Sequence, residues 1–161
     1  MVLIFEVTNE FALSQQTLKE LINTNNVKIA TNGCHAVATL VKRYGLKKID
    51  CGFFNPIMIN RAQASNIGVK KAAYEYFKGV YMWAGNDTLK IINDLKNAQI
   101  IDLKKEFALI KDGPKPTKHF TRFDRENGMA DQDMTDDKVD AIEVGAHDVD
   151  IFGQFDDLWI S

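Results

Sequence analysis

The strongest periodic pattern in the sequence lies between residues 69 and 84. Apolar side chains recur there at intervals of three and four residues, at Val69, Ala72, Ala73, Tyr76, Phe77, Val80, Tyr81 and Ala84. This stripe predicts an amphipathic helix that must bury one face, and Gly85 is expected to end it. Asn86 or Asp87 then caps a second helix, so that residues 67–98 form a helical hairpin.

Short apolar segments on both sides of the hairpin are typical of β-strands. Strands are predicted over residues 2–7, 27–30, 48–54 and 118–124. Two further helices are predicted over residues 14–23 and 35–44, and Gly45 is expected to cap the second. Residues 100–110 fit either one helix or a helix followed by a strand. No internal repeat is apparent. The predicted fold class is therefore α/β or α+β, with a small sheet packed beside the helical hairpin.

Charge divides the chain into a basic body and an acidic tail. Residues 131–161 hold ten acidic residues and one lysine, a net charge of −9, whereas the other 130 residues carry +7. We therefore expect one basic domain over residues 1–125 and an acidic tail over residues 126–161. Either the body binds an anionic partner with which the tail competes, or the tail only keeps the protein in solution.

Composition excludes several classes of protein. The chain is 45% hydrophobic and 26% charged, which is typical of a globular domain. No apolar run is long enough for a signal peptide or a membrane span. Cys34 and Cys51 form neither a disulfide framework nor a metal-binding spacing, and the three histidines suggest no metal site. A reducing cytoplasm is the expected location, and no membrane partner is expected.

The segment around Asn32-Gly33 is the predicted functional turn. Between a strand and a helix, such a turn presents free backbone N–H groups at the positive end of the helix dipole, where phosphate binds. The candidate phosphate-binding residues are Thr31, Asn32, Gly33, Cys34 and His35. In that position Cys34 would have a lowered pKa and act as a nucleophile, and His35 would act as an acid or base. Alternatively, Gly33 only makes a turn and Cys34 is a small buried residue.

The Gly33-Cys34-His35 sequence, within residues 14–54, resembles the signature segment of the ParB/sulfiredoxin-like superfamily. Ala36 stands where that family has an arginine. The resemblance implies a nucleotide- or phosphate-binding protein that acts on or with nucleic acid, such as a phage or plasmid accessory factor. It implies ATP or CTP as the ligand, with Mg²⁺ as a possible companion ion. Whether the chain is an enzyme stays open; nucleotide hydrolysis or phosphoryl transfer, with Cys34 and His35 as catalytic residues, is the reaction implied.

Two alternatives come from other residues. A cysteine at a helix N-terminus with a later histidine is also the papain-type pattern, with Cys34 as nucleophile, His119 as base and Asp124 as orienting group. A non-enzymatic nucleic-acid-binding protein with an autoinhibitory acidic tail is the other alternative. Its phosphate-contacting residues would be Lys104, Lys105, Lys118, Arg122 and Arg125. The tail could also dock on a protein partner through Phe155 and Trp159.

Overall fold

The computed structural model describes residues 10–111, 113 and 116–129, and every regular element in these residues is helical. The α-helices are α1 (Phe11–Asn23), α2 (Val27–Tyr44), α3 (Cys51–Ala62), α4 (Ile67–Ala84), α5 (Thr88–Ile91), α6 (Asn97–Lys111) and α7 (Arg122–Glu126). Short 3₁₀ turns at Gly85–Asp87 and Ile92–Asp94 flank α5. The predicted α/β or α+β fold is therefore wrong, because no strand lies within the described residues.

Local capping explains where the two longest helices begin and end. The side chain of Asn26 accepts hydrogen bonds from the first free N–H groups of α2, and Asn66 does the same for α4. Gly45 and Gly85 follow these helices with φ angles of 75° and 60°, a conformation that favours glycine. The predicted helix over residues 69–84, its end at Gly85 and the cap at Gly45 are confirmed.

Helices α1 and α3 lie side by side and run in the same direction. The Gln15 side chain accepts a hydrogen bond from the Asp50 N–H at 2.8 Å. One turn further along both helices, the Lys19 ammonium lies 4.1 Å from the centre of the Phe53 ring. Contacts therefore advance together along the two helices, as they must in a parallel pair.

Helices α2, α4 and α6 form a second layer, in which α2 and α4 make the most extensive contact. A Cβ at Gly68 would lie 3.8 Å from Thr31 near the starts of α4 and α2, and a Cβ at Gly79 would lie 3.1 Å from Lys42 near their ends. The Tyr81 ring stacks on Phe107 of α6, with centroids 4.3 Å apart. These helices are also parallel, so the fold is a stack of helical hairpins.

The core lies between the two layers. Its largest fully buried side chains are Tyr44, Tyr76, Phe54, Phe77, Leu18, Ile22, Leu40, Ile49, Met58, Ile92 and Leu103. The Tyr76 hydroxyl donates a hydrogen bond to Asn55 Oδ1 at 2.8 Å, which satisfies this buried polar group. The hairpin predicted over residues 67–98 consists in the structure of α4 and the short helical turns that follow it.

The predicted strand over residues 27–30 and the turn over residues 31–34 are wrong, since both lie inside α2. Gly33 has a packing role in this helix. A Cβ at Gly33 would lie 3.0 Å from Ile22 Cγ1 and 3.3 Å from the Ile22 backbone nitrogen. Glycine is therefore needed because α1 and α2 approach closely at this point, and it does not break the helix.

The predicted strand over residues 48–54 is also wrong, because residues 51–54 lie in α3. Asp50 caps α3 through a 3.1 Å hydrogen bond from the Phe53 N–H, so the helix begins at Cys51. Pro56 lies in the second turn of this helix and removes one hydrogen bond, to the Gly52 carbonyl. Both residues are exposed, so water can solvate that carbonyl.

Residues 100–110 belong to α6, so the alternative that ends in a strand is also wrong. The predicted strand over residues 118–124 is irregular chain up to Thr121, followed by α7. The chain divides into two compact units, residues 1–121 and 122–161. The described part of the second unit contains α7, in which Arg122 pairs with Glu126 at 2.7 Å. The predicted strand over residues 2–7 and nearly all of the acidic tail lie outside the described residues.

Candidate functional site

The residues predicted to bind phosphate lie within one continuous helix. These residues begin four positions after the first residue of α2 and span more than one turn of it. They are Thr31, Asn32, Gly33, Cys34 and His35. The Thr31 hydroxyl donates to the Val27 carbonyl at 2.7 Å, and Gly33 and Cys34 face the core. The free N–H groups at the start of α2 are instead capped by Asn26, so the strand–turn–helix geometry that motivated the phosphate site is not present.

The Cys34 thiol differs from the expected reactive nucleophile. Its side chain is fully buried. Burial raises the pKa of Cys34 to about 11, although the Arg61 charge and a backbone hydrogen bond act in the opposite direction. The thiol is therefore protonated near neutral pH, the reverse of the activation predicted for a helix N-terminus.

The nucleophile and the base of the papain-type hypothesis, Cys34 and His119, are also apart. The His119 N–H donates to the Arg43 carbonyl at 2.9 Å, which places His119 beside the last turn of α2. Cys34 lies nine residues before Arg43, about 13 Å along the helix axis. Asp124 belongs to α7 in the second unit. Cys34 and His119 are therefore too far apart for the hydrogen bond that a nucleophile and its base require.

The predicted nucleic-acid-binding residues lie on three different elements. Lys104 and Lys105 are exposed on α6, and Lys118 lies in irregular chain with its ammonium 5.2 Å from the Phe120 ring centre. Arg122 and Arg125 lie on α7 in the second unit. The structure therefore does not gather them on one helix face.

A different set of residues forms a continuous edge of the helical stack. Because α2, α4 and α6 are parallel, the turns that precede them lie at the same end. We call this surface the turn edge and define it as residues 23–28, 63–68 and 95–98. Its first segment joins α1 to α2, its second joins α3 to α4, and its third leads into α6.

Long-range hydrogen bonds tie the three turns together. Arg61 Nη2 donates to the Thr24 carbonyl at 3.3 Å, linking the first turn to the end of α3. The buried Gln99 side chain donates to the Ala62 carbonyl at 2.8 Å and accepts from the Lys96 N–H at 3.3 Å. The bonds to the Thr24 and Ala62 carbonyls satisfy backbone groups at helix ends and connect adjacent hairpins, whereas the bond from Lys96 lies within the third turn. The relative positions of the turns are therefore set by the fold.

The turn edge has a distinctive chemical character. Its sixteen positions contain no aspartate or glutamate, whereas they contain two lysines, Lys28 and Lys96, and five asparagines, Asn23, Asn25, Asn26, Asn66 and Asn97. Val27 is 47% exposed and Ile67 is 68% exposed, so apolar surface is presented among polar groups. Apolar centres with polar surroundings are typical of protein-binding surfaces.

A chain of ion pairs connects the three helices that support this edge. Lys42 of α2 pairs with Glu75 of α4 at 2.7 Å, and Glu75 pairs with Lys78 at 2.8 Å. Lys78 in turn reaches Glu106 of α6 at 3.1 Å. Burial alone would raise the pKa of Glu75, but the hydrogen bonds and charges of the two lysines lower it to about 2. The network favours one register of the three helices.

Reasoning from the sequence did not identify the turn edge. The available signal was an asparagine followed by a β-branched residue, at Asn26-Val27 and again forty residues later at Asn66-Ile67. Both asparagines end a polar turn and cap a long helix. A period of about 40 residues is typical of repeated helical hairpins. The expectation of no internal repeat therefore missed a structural repeat.

Other kinds of site find no support within the described residues. No group of three histidine, cysteine, aspartate or glutamate side chains in residues 10–111, 113 and 116–129 could hold a metal ion. No helix in the same residues is long and apolar enough to cross a membrane. The cytoplasmic location stays a prediction, and no observation on the described residues tests ATP, CTP or Mg²⁺ as a ligand.

Comparison with known proteins identifies the family. A family model described as XMAP215/Dis1/CLASP, TOG domain, matches residues 1–107, which include α1 to α5 and most of α6. No curated protein and no solved structure matches the chain at a significant level. The ParB/sulfiredoxin-like assignment is wrong, together with its nucleotide-binding, DNA-binding and phage or plasmid functions and the peptidase and autoinhibited nucleic-acid-binding alternatives. The chain belongs to the XMAP215/Dis1/CLASP TOG-domain family.

Proposed function

We propose that this chain binds tubulin through the turn edge. TOG domains typically bind tubulin, and family membership is the reason for choosing this partner. The observation that carries the proposal is the alignment of three polar, acid-free turns along one edge, held together by the Arg61 and Gln99 hydrogen bonds. The protein would then act as a tubulin-binding module without catalysis.

Preorganisation supports this use of the turns. Binding through loops costs free energy when the loops must become ordered. Here Asn26 and Asn66 hold their turns through two backbone hydrogen bonds each, and Gln99 fixes the third turn. Little further ordering is required when a rigid partner docks, so more of the contact energy remains as affinity.

Charge supports an acidic partner surface. Lys28 and Lys96 are exposed, and the starts of α2, α4 and α6 direct the positive ends of their dipoles toward this edge. The ends of α1 and α3 lie there too, but Arg61 and Gln99 donate to the Thr24 and Ala62 carbonyls and offset part of their negative potential. Exposed Val27 and Ile67 supply the apolar contacts.

The test is direct binding of fluorescently labelled tubulin to the full chain at low ionic strength. A Lys28→Glu/Lys96→Glu double variant places two acids on the turn edge and should weaken binding about tenfold or more, because each lysine contact becomes a repulsion. The charge-matched control is Lys104→Glu/Lys111→Glu, which changes two exposed lysines of α6 outside the turn edge. The control should bind within twofold of the original chain.

Two results would contradict the proposal. Absence of tubulin binding by the folded original chain would remove the function. Equal weakening by Lys28→Glu/Lys96→Glu and by Lys104→Glu/Lys111→Glu would show that binding responds only to net charge, and the turn edge would not be the site. Circular dichroism and thermal unfolding of each variant verify that the fold is retained.

A further inference from the structure

A groove between α4 and α6 opens beside the turn edge. Its cavity measures about 340 Å³, and Ile67, the first residue of α4, lies at its end. Three lysines line it: Lys70 and Lys71 from α4, and Lys105 from α6. The groove is therefore continuous with the proposed tubulin-binding surface but belongs to a helix face and not to the turns.

One polar group beside the groove is not used by the described fold. Tyr74 lines the groove, and its hydroxyl is buried without a hydrogen-bond partner among the described residues. Burial raises the pKa of Tyr74, and the Asp102 carboxylate adds to this effect, so the hydroxyl keeps its proton. The Lys70 ammonium lies 5.5 Å from the centre of the Tyr74 ring. A small shift of the Tyr74 ring on binding would expose the hydroxyl to a ligand oxygen and complete its hydrogen bonding.

We propose that the groove between α4 and α6 binds an extended acidic segment of tubulin, with ligand carboxylates beside Lys70, Lys71 and Lys105. This inference rests on the proposed function, because it assigns a second contact to the same partner. Ile67 is 68% exposed and joins the two surfaces, so one partner could contact the turn edge and continue into the groove. A second contact tethered to the first gains affinity through effective concentration.

The acids of the groove favour a peptide over a polyphosphate. Asp102 and Glu106 also line the cavity, and Glu106 already pairs with Lys78 at 3.1 Å. A nucleic-acid backbone presents only acceptors at regular charge spacing and would be repelled by these carboxylates. An extended peptide presents backbone N–H donors between its acidic side chains, and Asp102 can accept from them. Exposed Ile67 adds a contact for an apolar side chain of such a segment.

The experiment measures fluorescence anisotropy of a labelled ten-residue polyglutamate peptide with the full chain at low salt. Lys70→Gln/Lys105→Gln should weaken binding about tenfold, and Tyr74→Phe about threefold. The charge-matched control is Lys104→Gln/Lys111→Gln, which changes two exposed lysines of α6 that do not line the groove. This control should bind polyglutamate within twofold of the original chain, and added salt should weaken all binding.

Further arms separate this inference from the proposed function. Lys28→Glu/Lys96→Glu should leave polyglutamate binding within threefold while it weakens tubulin binding, whereas the groove variants should weaken both. Polyglutamate binding that is absent, or equally strong in Lys70→Gln/Lys105→Gln and in Lys104→Gln/Lys111→Gln, would overturn the proposed groove site. Stronger competition by a charge-matched oligonucleotide than by unlabelled polyglutamate would overturn the acidic-peptide assignment. Groove-dependent polyglutamate binding with unchanged tubulin affinity in the groove variants would overturn the assignment to tubulin.

Discussion

Replacing Gly33 with valine tests the packing that defines the first hairpin. A Cβ at this position would already lie 3.0 Å from Ile22 Cγ1 and 3.3 Å from the Ile22 backbone nitrogen. Ile22 is fully buried, so neither its side chain nor its backbone can move without disturbing the core. Valine adds two further methyl groups to this contact, which forces α1 and α2 apart.

The expected loss of stability follows from two opposing terms. Overpacking a well-packed core costs about 1–3 kcal/mol. Glycine is a poor helix residue, and valine recovers only about 0.4 kcal/mol of helix propensity. The net effect of Gly33→Val is a loss of about 0.6–2.6 kcal/mol in the free energy of unfolding. For a domain of this size the midpoint of thermal unfolding should fall by about 2–10 °C.

Urea unfolding followed by circular dichroism measures this loss. The matched control is Asn32→Val, which places the same side chain at the adjacent, exposed position of α2. The control should change stability by less than about 0.5 kcal/mol, since asparagine and valine have similar helix propensities. If Gly33→Val were as stable as Asn32→Val, the close approach of α1 and α2 would be refuted. That result is the one expected if Gly33 lay in a ligand-binding turn instead of between two packed helices.

Three further predictions concern the ion-pair network, the core and the buried thiol. The pKa of Glu75, about 2, lies below its ordinary 4.5, so its stabilisation is present above about pH 4.5 and lost as pH falls toward 2. Glu75→Gln should cost about 1 kcal/mol at pH 7, after discounting for solvent screening, and almost nothing at pH 2; urea titrations that show an equal cost at both pH values would contradict this. Tyr76→Phe should cost about 1 kcal/mol by leaving Asn55 unpaired, and an equally stable variant would show that the bond contributes nothing. Iodoacetamide should label Cys34 far more slowly in the folded chain than in urea, because the thiol is buried and protonated; equal rates would contradict its burial.

Local periodicity was a sound guide where the signal was complete within one helix. The stripe from Val69 to Ala84 correctly predicted α4, and Gly85 correctly predicted its end. The helix predicted over residues 14–23 is the larger part of α1, for the same reason. In these segments the apolar face, the cap and the stop signal are close in sequence, so the prediction of a single helix accounts for all three.

The start of α2 was predicted wrongly because its residues fit two different structures. Val27 and Ile29 are β-branched, and Asn32-Gly33 is a common turn, so this segment resembles a strand and a turn. In the structure Asn26 caps a helix, and Gly33 provides the space that Ile22 needs. That need arises from a neighbouring helix, so sequence spacing within α2 does not reveal it.

The turn edge was beyond sequence reasoning because it is assembled from distant segments. Thr24 and Arg61 are 37 residues apart, and so are Ala62 and Gln99. Each turn alone resembles an ordinary polar connection. Only the parallel stacking of α2, α4 and α6 brings the three turns to one edge, and that stacking depends on core contacts between hairpins.

Hydrogen–deuterium exchange of the chain with and without tubulin tests the central claim most directly. Saturating tubulin should slow backbone exchange in residues 23–28, 63–68 and 95–98, where the turns contact the partner. Residues 45–50 and 85–90, at the opposite edge of the stack, serve as the internal control and should exchange at unchanged rates. Protection confined to the opposite edge, or no protection in any of the three turns at saturating tubulin, would contradict the proposal.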